Sequence, residues 1–242
     1  RYDIYHPSYY SFAVKKRASI KTVLTVFDMT HELYLKEKKN FTTDLLMKQR
    51  SIRAADHYIC ISKNTANDLC RMYEIPSKKV SVVYLGAPDA QADNSTTSQP
   101  IYNKSYILYV GNRSTYKNFP LLLDAYVQSG IFSDIELICF GGGSFTGYER
   151  EELKKRGIKK HVVYAQGDNA RLAYFYRNAS MLVYPSLYEG FGLPVIEAMA
   201  YGCPVIASRS SSIPEIAGNA ALLFDPKNAS ELTGLIQQLL NS

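Results

Sequence analysis

The chain has 242 residues, 46% of them hydrophobic and 21% charged, a composition that excludes the disordered, collagen-like and disulfide-framework classes. No apolar run reaches the roughly eighteen residues that a membrane-spanning helix needs, and no secretory leader is visible. The net charge of +6 is unevenly placed: residues 1–90 hold 15 Lys/Arg against 9 Asp/Glu, whereas residues 91–242 hold 13 of each. The excess includes Lys15, Lys16, Arg17, Lys21, Lys36, Lys38, Lys39, Lys48, Arg50 and Arg53. It reads either as a solvated basic face or as a surface that attracts an anionic ligand or membrane. Nucleic acid is the weaker reading, since no recognition motif accompanies the charge.

In chain order, Asp3–Tyr5 and Thr22–Phe27 read as strands and Thr43–Ala54 as a helix. A strand over His57–Ile61 follows, then a helix over Lys63–Tyr73 with Ser62 as its N-cap, then a strand over Val80–Tyr84. The tract 91–100 is rich in Ser, Thr, Asn and Asp and has the composition of a linker. Beyond it the pattern is regular. Strands are expected at Tyr106–Val110, Ile135–Phe140, His161–Tyr164, Met181–Tyr184, Pro204–Ala207 and Ala221–Phe224. Helices are expected at Asn118–Ser129, Tyr148–Arg156, Asn169–Arg177, Pro194–Tyr201, Ser212–Ala217 and Asn228–Leu240. In the last of these Leu232, Leu235, Ile236, Leu239 and Leu240 share one face. Alternating short apolar strands and helices argue for an α/β fold with a parallel, doubly wound sheet. Ligands in such sheets bind at the carboxyl ends of the strands. Gly111, Gly141–Gly143, Gly167 and Gly190–Gly192 all follow strands, so they gather at that edge.

The four cysteines, Cys60, Cys70, Cys139 and Cys203, lack the spacing of a zinc site or a disulfide framework and read as reduced thiols. The most informative stretch is Tyr184–Ala200. There Glu189 and Glu197 flank the turn Gly190-Phe191-Gly192, and Leu193 and Pro194 open a helix. A strand, a glycine turn and a helix N-terminus offer free backbone N–H groups and a positive dipole end to phosphate. Ionised glutamates accept hydrogen bonds only, so hydroxyls are their natural partners. Phosphate with hydroxyls beside it describes a nucleotide sugar.

This segment resembles the signature of the retaining, family-four glycosyltransferases with the two-domain GT-B fold. Tyr201-Gly202-Cys203-Pro204-Val205-Ile206-Ala207 and Ile213-Pro214-Glu215-Ile216 continue the pattern. The resemblance implies an N-terminal acceptor-side Rossmann-like domain over 1–90, incomplete in this chain, a linker over 91–100, and a nucleotide-sugar-binding Rossmann-like domain over 101–242. The chain begins with Arg1, which reads as a segment of something longer.

The resemblance also distributes roles. Glu197 holds the ribose hydroxyls, and Glu189 contacts the donor sugar. As an alternative, Glu189 is a nucleophile of the two-carboxylate kind. Lys117, in the loop Gly111–Asn118, binds the donor diphosphate. Arg113 reaches the same phosphates, because a guanidinium pairs with phosphate in bidentate fashion. Gly190, Phe191, Gly192, Leu193 and Pro194 form the phosphate turn. Gly111, Gly141, Gly167 and Leu172 lie around the nucleotide. In the first part, Thr25-Val26-Phe27-Asp28-Met29-Thr30-His31 resembles a strand end where the family commonly carries His at the place of Phe27. His31, one helical turn later, either stands in for it or is an ordinary loop histidine. His6 ranks below it, and Tyr5, Tyr9 and Tyr10 either stack on a sugar or serve the core.

The expected activity is therefore transfer of a sugar with retention, from a GDP-sugar such as GDP-mannose first and a UDP-sugar second, to a glycan or lipid-linked glycan in cell-surface polysaccharide synthesis. No cofactor or metal is expected. The expected location is cytoplasmic, peripheral on the inner face of the cell membrane. Two alternatives remain open: a nucleotide-sugar-binding module without turnover, and a GT-B sugar-nucleotide epimerase.

Overall fold

The computed structural model describes residues 3–16, 19–34, 41–90 and 102–241. The linker expected over 91–100 lies outside them, as do Arg17, Lys36, Lys38 and Lys39. The chain divides into two compact units. One comprises Arg1–Gly86 together with Tyr188–Phe191, the other Ala87–Leu187 together with Gly192–Ser242.

The first unit is built on a four-stranded parallel sheet, β1 (Ile4–Tyr5), β2 (Lys21–Val26), β3 (His57–Cys60) and β4 (Val80–Val82), in that spatial order. Val23 pairs with His57 and Tyr58 with Val80. Among the described residues three α-helices accompany it: α1 (Thr30–Tyr34), α2 (Phe41–Ala54) and α3 (Lys63–Tyr73). Ser62 caps α3 by accepting a hydrogen bond from the Thr65 amide at 3.0 Å. Helix α1 has no counterpart in the sequence reading, and it starts where the Asp28 carboxylate accepts from the Thr30 amide at 2.9 Å. The core gathers Leu24, Val26, Met29, Ile52, Tyr58, Cys60 and Leu69.

Lys48 corrects the charge reading. It is not part of a solvated face but wholly buried, its ammonium donating to Glu32 Oε2 at 2.8 Å and to the Asp28 carbonyl at 2.5 Å. Tyr73 donates to the other Glu32 oxygen at 2.6 Å. A buried cation is tolerable only with such partners.

The second unit holds a six-stranded parallel sheet. Its strands are β5 (Tyr106–Val110), β6 (Glu136–Phe140), β7 (Val162–Ala165), β8 (Met181–Tyr184), β9 (Val205–Ser208) and β10 (Leu222–Phe224). The order β10-β9-β8-β5-β6-β7 runs outward both ways from the β5/β8 pair. That is the doubly wound arrangement, with its topological switch point between β5 and β8. The helices are α4 (Phe119–Gln128), α5 (Gly147–Lys155), α6 (Asn169–Asn178), α7 (Leu193–Ala200), α8 (Ile213–Ala217) and α9 (Ala229–Leu240).

Because side chains alternate along a strand, β5 sends Ile107 and Tyr109 to one face and Tyr106, Leu108 and Val110 to the other. The first face meets α4, α5 and α9 through Leu122, Tyr126, Leu153, Leu232 and Ile236. The second meets α6, α7 and α8 through Phe175, Tyr176, Val195, Ala198 and Ile213. Burial on both faces explains why these strands read as continuous apolar runs. Among the described residues no helix is long and apolar enough to cross a membrane. All four cysteines are unpaired, and burial pushes the Cys60 and Cys203 thiols up to about 12.

Candidate functional site

The candidate residues divide between the two units. Glu189, Gly190, Phe191 and His31 belong to the first, while Lys117, Arg113, Glu197, Gly192, Leu193, Pro194, Gly111, Gly141, Gly167 and Leu172 belong to the second.

In the second unit, the loops after β5 and β8 flank the switch point. They are bound to each other: the Leu187 amide donates to the Tyr116 carbonyl at 2.7 Å, and Asn118 Nδ2 donates to the carbonyls of Pro185 at 3.1 Å and Pro226 at 2.8 Å. Asn118 adopts a left-handed conformation, φ 56°, that closes the short 3-10 turn Thr115–Lys117. Lys117 is thereby held beside the end of β8. Its ammonium donates to the Tyr184 hydroxyl at 3.3 Å and lies 5.3 and 5.4 Å from the ring centres of Tyr116 and Tyr184. After β8, Gly192 takes φ 106° and turns the chain into α7, with Pro194 in the first turn and no side chain capping the helix. Only glycine adopts that conformation without strain. Pro194 has no N–H and the Val195 amide donates to the Gly192 carbonyl at 2.9 Å, so the Leu193 amide is the donor of this first turn left to a ligand or water.

Glu197 and Leu172 line one cavity of about 160 Å³, together with Pro88, Asn169, Ala173, Tyr176 and Tyr201. The Tyr176 hydroxyl donates to Glu197 Oε2 at 2.8 Å, and its ring stacks on Tyr201 with centroids 5.9 Å apart. Burial, then the Glu197 carboxylate, raise the Tyr176 phenol, so it stays a donor. Sequence reasoning missed Tyr176 and Tyr201. The signal was present in helical spacing: Tyr176 follows Leu172, and Tyr201 follows Glu197, by about one turn.

Gly111 and Gly141 end β5 and β6 with positive φ, and the Gly111 amide donates to the Phe140 carbonyl at 3.0 Å. Gly167 lies just before α6, packed under the Arg171 side chain. Arg113 does not present a free fork toward a phosphate. Its side chain is 3% exposed. Nε donates to Glu149 at 2.6 Å, Nη1 to the Gly141 carbonyl at 3.2 Å, and Nη2 to the carbonyls of Gly143 at 2.8 Å and Ser144 at 3.3 Å. In this conformation Arg113 holds the Gly141–Gly143 loop in place.

In the first unit, Tyr188–Phe191 packs against the segment that follows β2. The Tyr188 hydroxyl donates to Asp68 Oδ2 at 2.9 Å and accepts from the Met29 amide at 3.2 Å. Thr65 Oγ1 donates to the Gly190 carbonyl at 3.2 Å. A Cβ on Gly190 would lie 2.0 Å from the Phe27 carbonyl oxygen and 2.7 Å from Asp28 Cβ. Gly190→Ala is therefore expected to destabilise this unit by about 3 kcal/mol, the upper part of the usual range for overpacking. Thermal unfolding followed by circular dichroism checks it, and an unchanged profile would refute the close approach.

His31 sits on α1 with Nδ1 3.9 Å from Asp28 Oδ1, and its side chain is 18% exposed. Burial pushes the Asp28 carboxyl up, but the nearby His31 ring, the Lys48 charge and the hydrogen bond from the Thr30 amide outweigh it and hold the group below its ordinary value. Phe27 lies half-buried beside Tyr9, ring centres 6.1 Å apart. His6 Nε2 is 2.9 Å from Thr25 Oγ1. Tyr10 is buried in the core, while Tyr9 is exposed.

A doubly wound parallel sheet, with a cation and an uncapped helix N-terminus at its switch point and a carboxylate-lined cavity beside them, is the Rossmann-like α/β arrangement of the GT-B type. The family model described as "Glycosyl transferases group 1" matches residues 92–242, and the one described as "Glycosyltransferase Family 4" matches residues 1–91. The chain belongs to the group 1 glycosyl transferases. It is 29% identical over 202 residues to O-antigen chain mannosyltransferase B of Escherichia coli, covering 78% of this chain and 53% of that protein. It is 29% identical over 203 residues to the MMP alpha-(1->4)-mannosyltransferase of Mycolicibacterium hassiacum, covering 81% of this chain and 48% of the relative. Among solved structures, sucrose-phosphate synthase from Thermosynechococcus elongatus superposes with a TM-score of 0.72 at 26% identity, over 93% of this chain and 60% of that one. The chain thus spans about half the length of these two relatives.

Proposed function

We propose that this chain supplies the donor site of a retaining glycosyltransferase that moves a sugar, mannose from GDP-mannose first and a UDP-sugar second, to a glycan or lipid-linked glycan in cell-surface polysaccharide synthesis. The observation that carries the reading is the second unit's switch point, where Lys117 and the Leu193 amide at the start of α7 flank one strand pair, with the Glu197 cavity on the following helix. The mannosyltransferase relatives support the choice of sugar.

In the proposed reaction the bond between the sugar's anomeric carbon and the β-phosphate oxygen breaks, and the acceptor oxygen takes the carbon. The acceptor's proton passes to the leaving phosphate. Negative charge grows on that phosphate, and Lys117 with the Leu193 amide at the start of α7 stabilises it more as the bond breaks than before. Glu197 accepts hydrogen bonds from the ribose hydroxyls, held in place by Tyr176. Leu172 and the glycine turns at Gly111, Gly141 and Gly167 pack around the nucleotide. Glu189 contacts the donor sugar, and His31 assists at the same sugar. No metal or cofactor takes part, and the enzyme works on the cytoplasmic face of the membrane as a peripheral protein.

Calorimetric titration with GDP, UDP and ADP tests the reading, using the wild-type chain and Glu197→Ala. One nucleotide is expected to bind, equally well with and without EDTA, and Glu197→Ala is expected to weaken it about tenfold or more, as for a hydrogen bond to a charged group. Absence of binding for all three nucleotides would overturn the donor site. Binding abolished by EDTA would overturn metal independence.

A further inference from the structure

A groove of about 490 Å³ in the first unit is lined by Phe12, Val14, Lys15, Lys16, Leu46, Gln49, Arg50, Arg53 and Ala54. Four of these side chains are cations, and the lining includes no carboxylate. Leu46, Arg50 and Arg53 recur at one-turn spacing on α2, so they share a face. That face is open: Leu46 is 53% exposed, and Phe12 on the facing loop is 44% exposed. The loop is fixed to the helix. The Ser11 amide donates to Ser51 Oγ at 3.1 Å, the Val14 amide donates to the Ser11 carbonyl at 3.2 Å, and Val14 is wholly buried. Lys15 and Lys16 therefore stand over α2 from a built turn.

The Arg53–Ala54 end of the groove lies toward the strand-start edge of its unit. All four strands are parallel, so their starts share one edge and their ends the other. Asp28, His31 and Ser62 follow strand ends. Arg53 and Ala54 instead close α2 just before β3 begins.

We propose that this groove docks the first unit onto an anionic phospholipid bilayer. Lys15, Lys16, Arg50 and Arg53 meet lipid phosphates, while Phe12 and Leu46 enter the boundary between headgroups and acyl chains. Charge complementarity selects an anionic partner. The exposed aromatic and leucine side chains interleaved with the cations select a bilayer over a soluble polyanion, which offers nothing apolar to bury. The proposal deepens the peripheral-membrane part of the proposed function and does not depend on the donor.

Co-sedimentation with vesicles of pure phosphatidylcholine, and of equimolar phosphatidylcholine and phosphatidylglycerol, tests it. Wild-type chain is expected to bind only the mixed vesicles. Arg50→Gln with Arg53→Gln is expected to weaken that binding about thirtyfold, about fivefold for each cation lost at roughly 1 kcal/mol each. Phe12→Ser with Leu46→Ser is expected to weaken it without any change in charge. Lys154→Gln with Lys155→Gln, exposed on α5 in the other unit, removes the same charge and is expected to leave binding unchanged. Nucleotide titration of each variant shows separately that the donor site is intact. Equal loss with the α5 variant would mean net charge alone, and heparin binding as tight as vesicle binding, indifferent to Phe12 and Leu46, would mean a generic polyanion surface. Either result overturns the proposal.

Discussion

Replacing Arg113 with alanine is expected to destabilise the second unit by about 3–5 kcal/mol, the cost of removing one partner from a buried ion pair. The guanidinium is almost fully enclosed and serves four acceptors: Glu149 and the carbonyls of Gly141, Gly143 and Ser144. It also lies 4.9 Å from the centre of the Phe145 ring. Alanine would leave a carboxylate and three carbonyls short of a donor at once. Glu149 keeps part of its compensation, because its other oxygen accepts from the Thr146 amide at 2.7 Å in a capping box. The lower end of the range is therefore expected. For a unit of this size that corresponds to a fall in Tm of roughly 6–12 °C. Arg113→Lys keeps the charge but not the fork, so it should recover only part of the loss.

The same pair carries a pH signature. Burial pushes the Glu149 carboxyl up, and the Arg113 and Thr146 hydrogen bonds together outweigh it, leaving the group below its ordinary value. A depressed carboxyl contributes stability that is complete above the ordinary carboxylate range and is lost as pH falls through its lower folded value. Without Arg113 that contribution shrinks, so acid unfolding of the variant should begin at higher pH than in the wild type. A variant that unfolds like the wild type at every pH, yet binds nucleotide poorly, would instead restore Arg113 to the phosphates.

The second unit was legible in the sequence because its strands are buried on both faces. Met181–Tyr184 and Tyr106–Val110 have no solvent side to interrupt them, and Gly111 marks the exit of the latter. Boundaries elsewhere moved by a residue or two, as helix and strand ends do. What escaped depends on partners distant in sequence. Arg113 looks like a loop cation until Glu149 is placed against it, and Lys48 looks like surface charge until Glu32 and Tyr73 close around it. The grouping of Tyr188–Phe191 with the first unit rests on contacts to Met29, Thr65 and Asp68, which no local pattern announces. The Glu197 cavity was half legible: Leu172 and Glu197 stood out by resemblance, but Tyr176 is one tyrosine among twenty until its hydroxyl is seen on the carboxylate.

Lys117→Met is expected to cut turnover about 10²–10³-fold, the range for removing one donor from a site where negative charge develops, while changing stability by less than about 1 kcal/mol. The two expectations separate because of how the residue is held. Its loop is fixed by backbone and Asn118 hydrogen bonds that do not involve the ammonium. The ammonium itself rests over the rings of Tyr116 and Tyr184, where a methionine stem of similar length packs as well. Methionine thus removes the charge and keeps the contact area. Under the proposed function the missing cation matters most as the leaving phosphate gains charge, so kcat should fall further than nucleotide affinity. Lys117→Arg keeps a charge but sets a planar fork in place of a compact ammonium, and should retain intermediate turnover. Steady-state kinetics with GDP-mannose and UDP-sugars, beside nucleotide titration and thermal unfolding, give the three readouts. Turnover and affinity falling together with Tm would make Lys117 a structural residue. Turnover unchanged at full nucleotide affinity would remove it from the donor phosphates altogether.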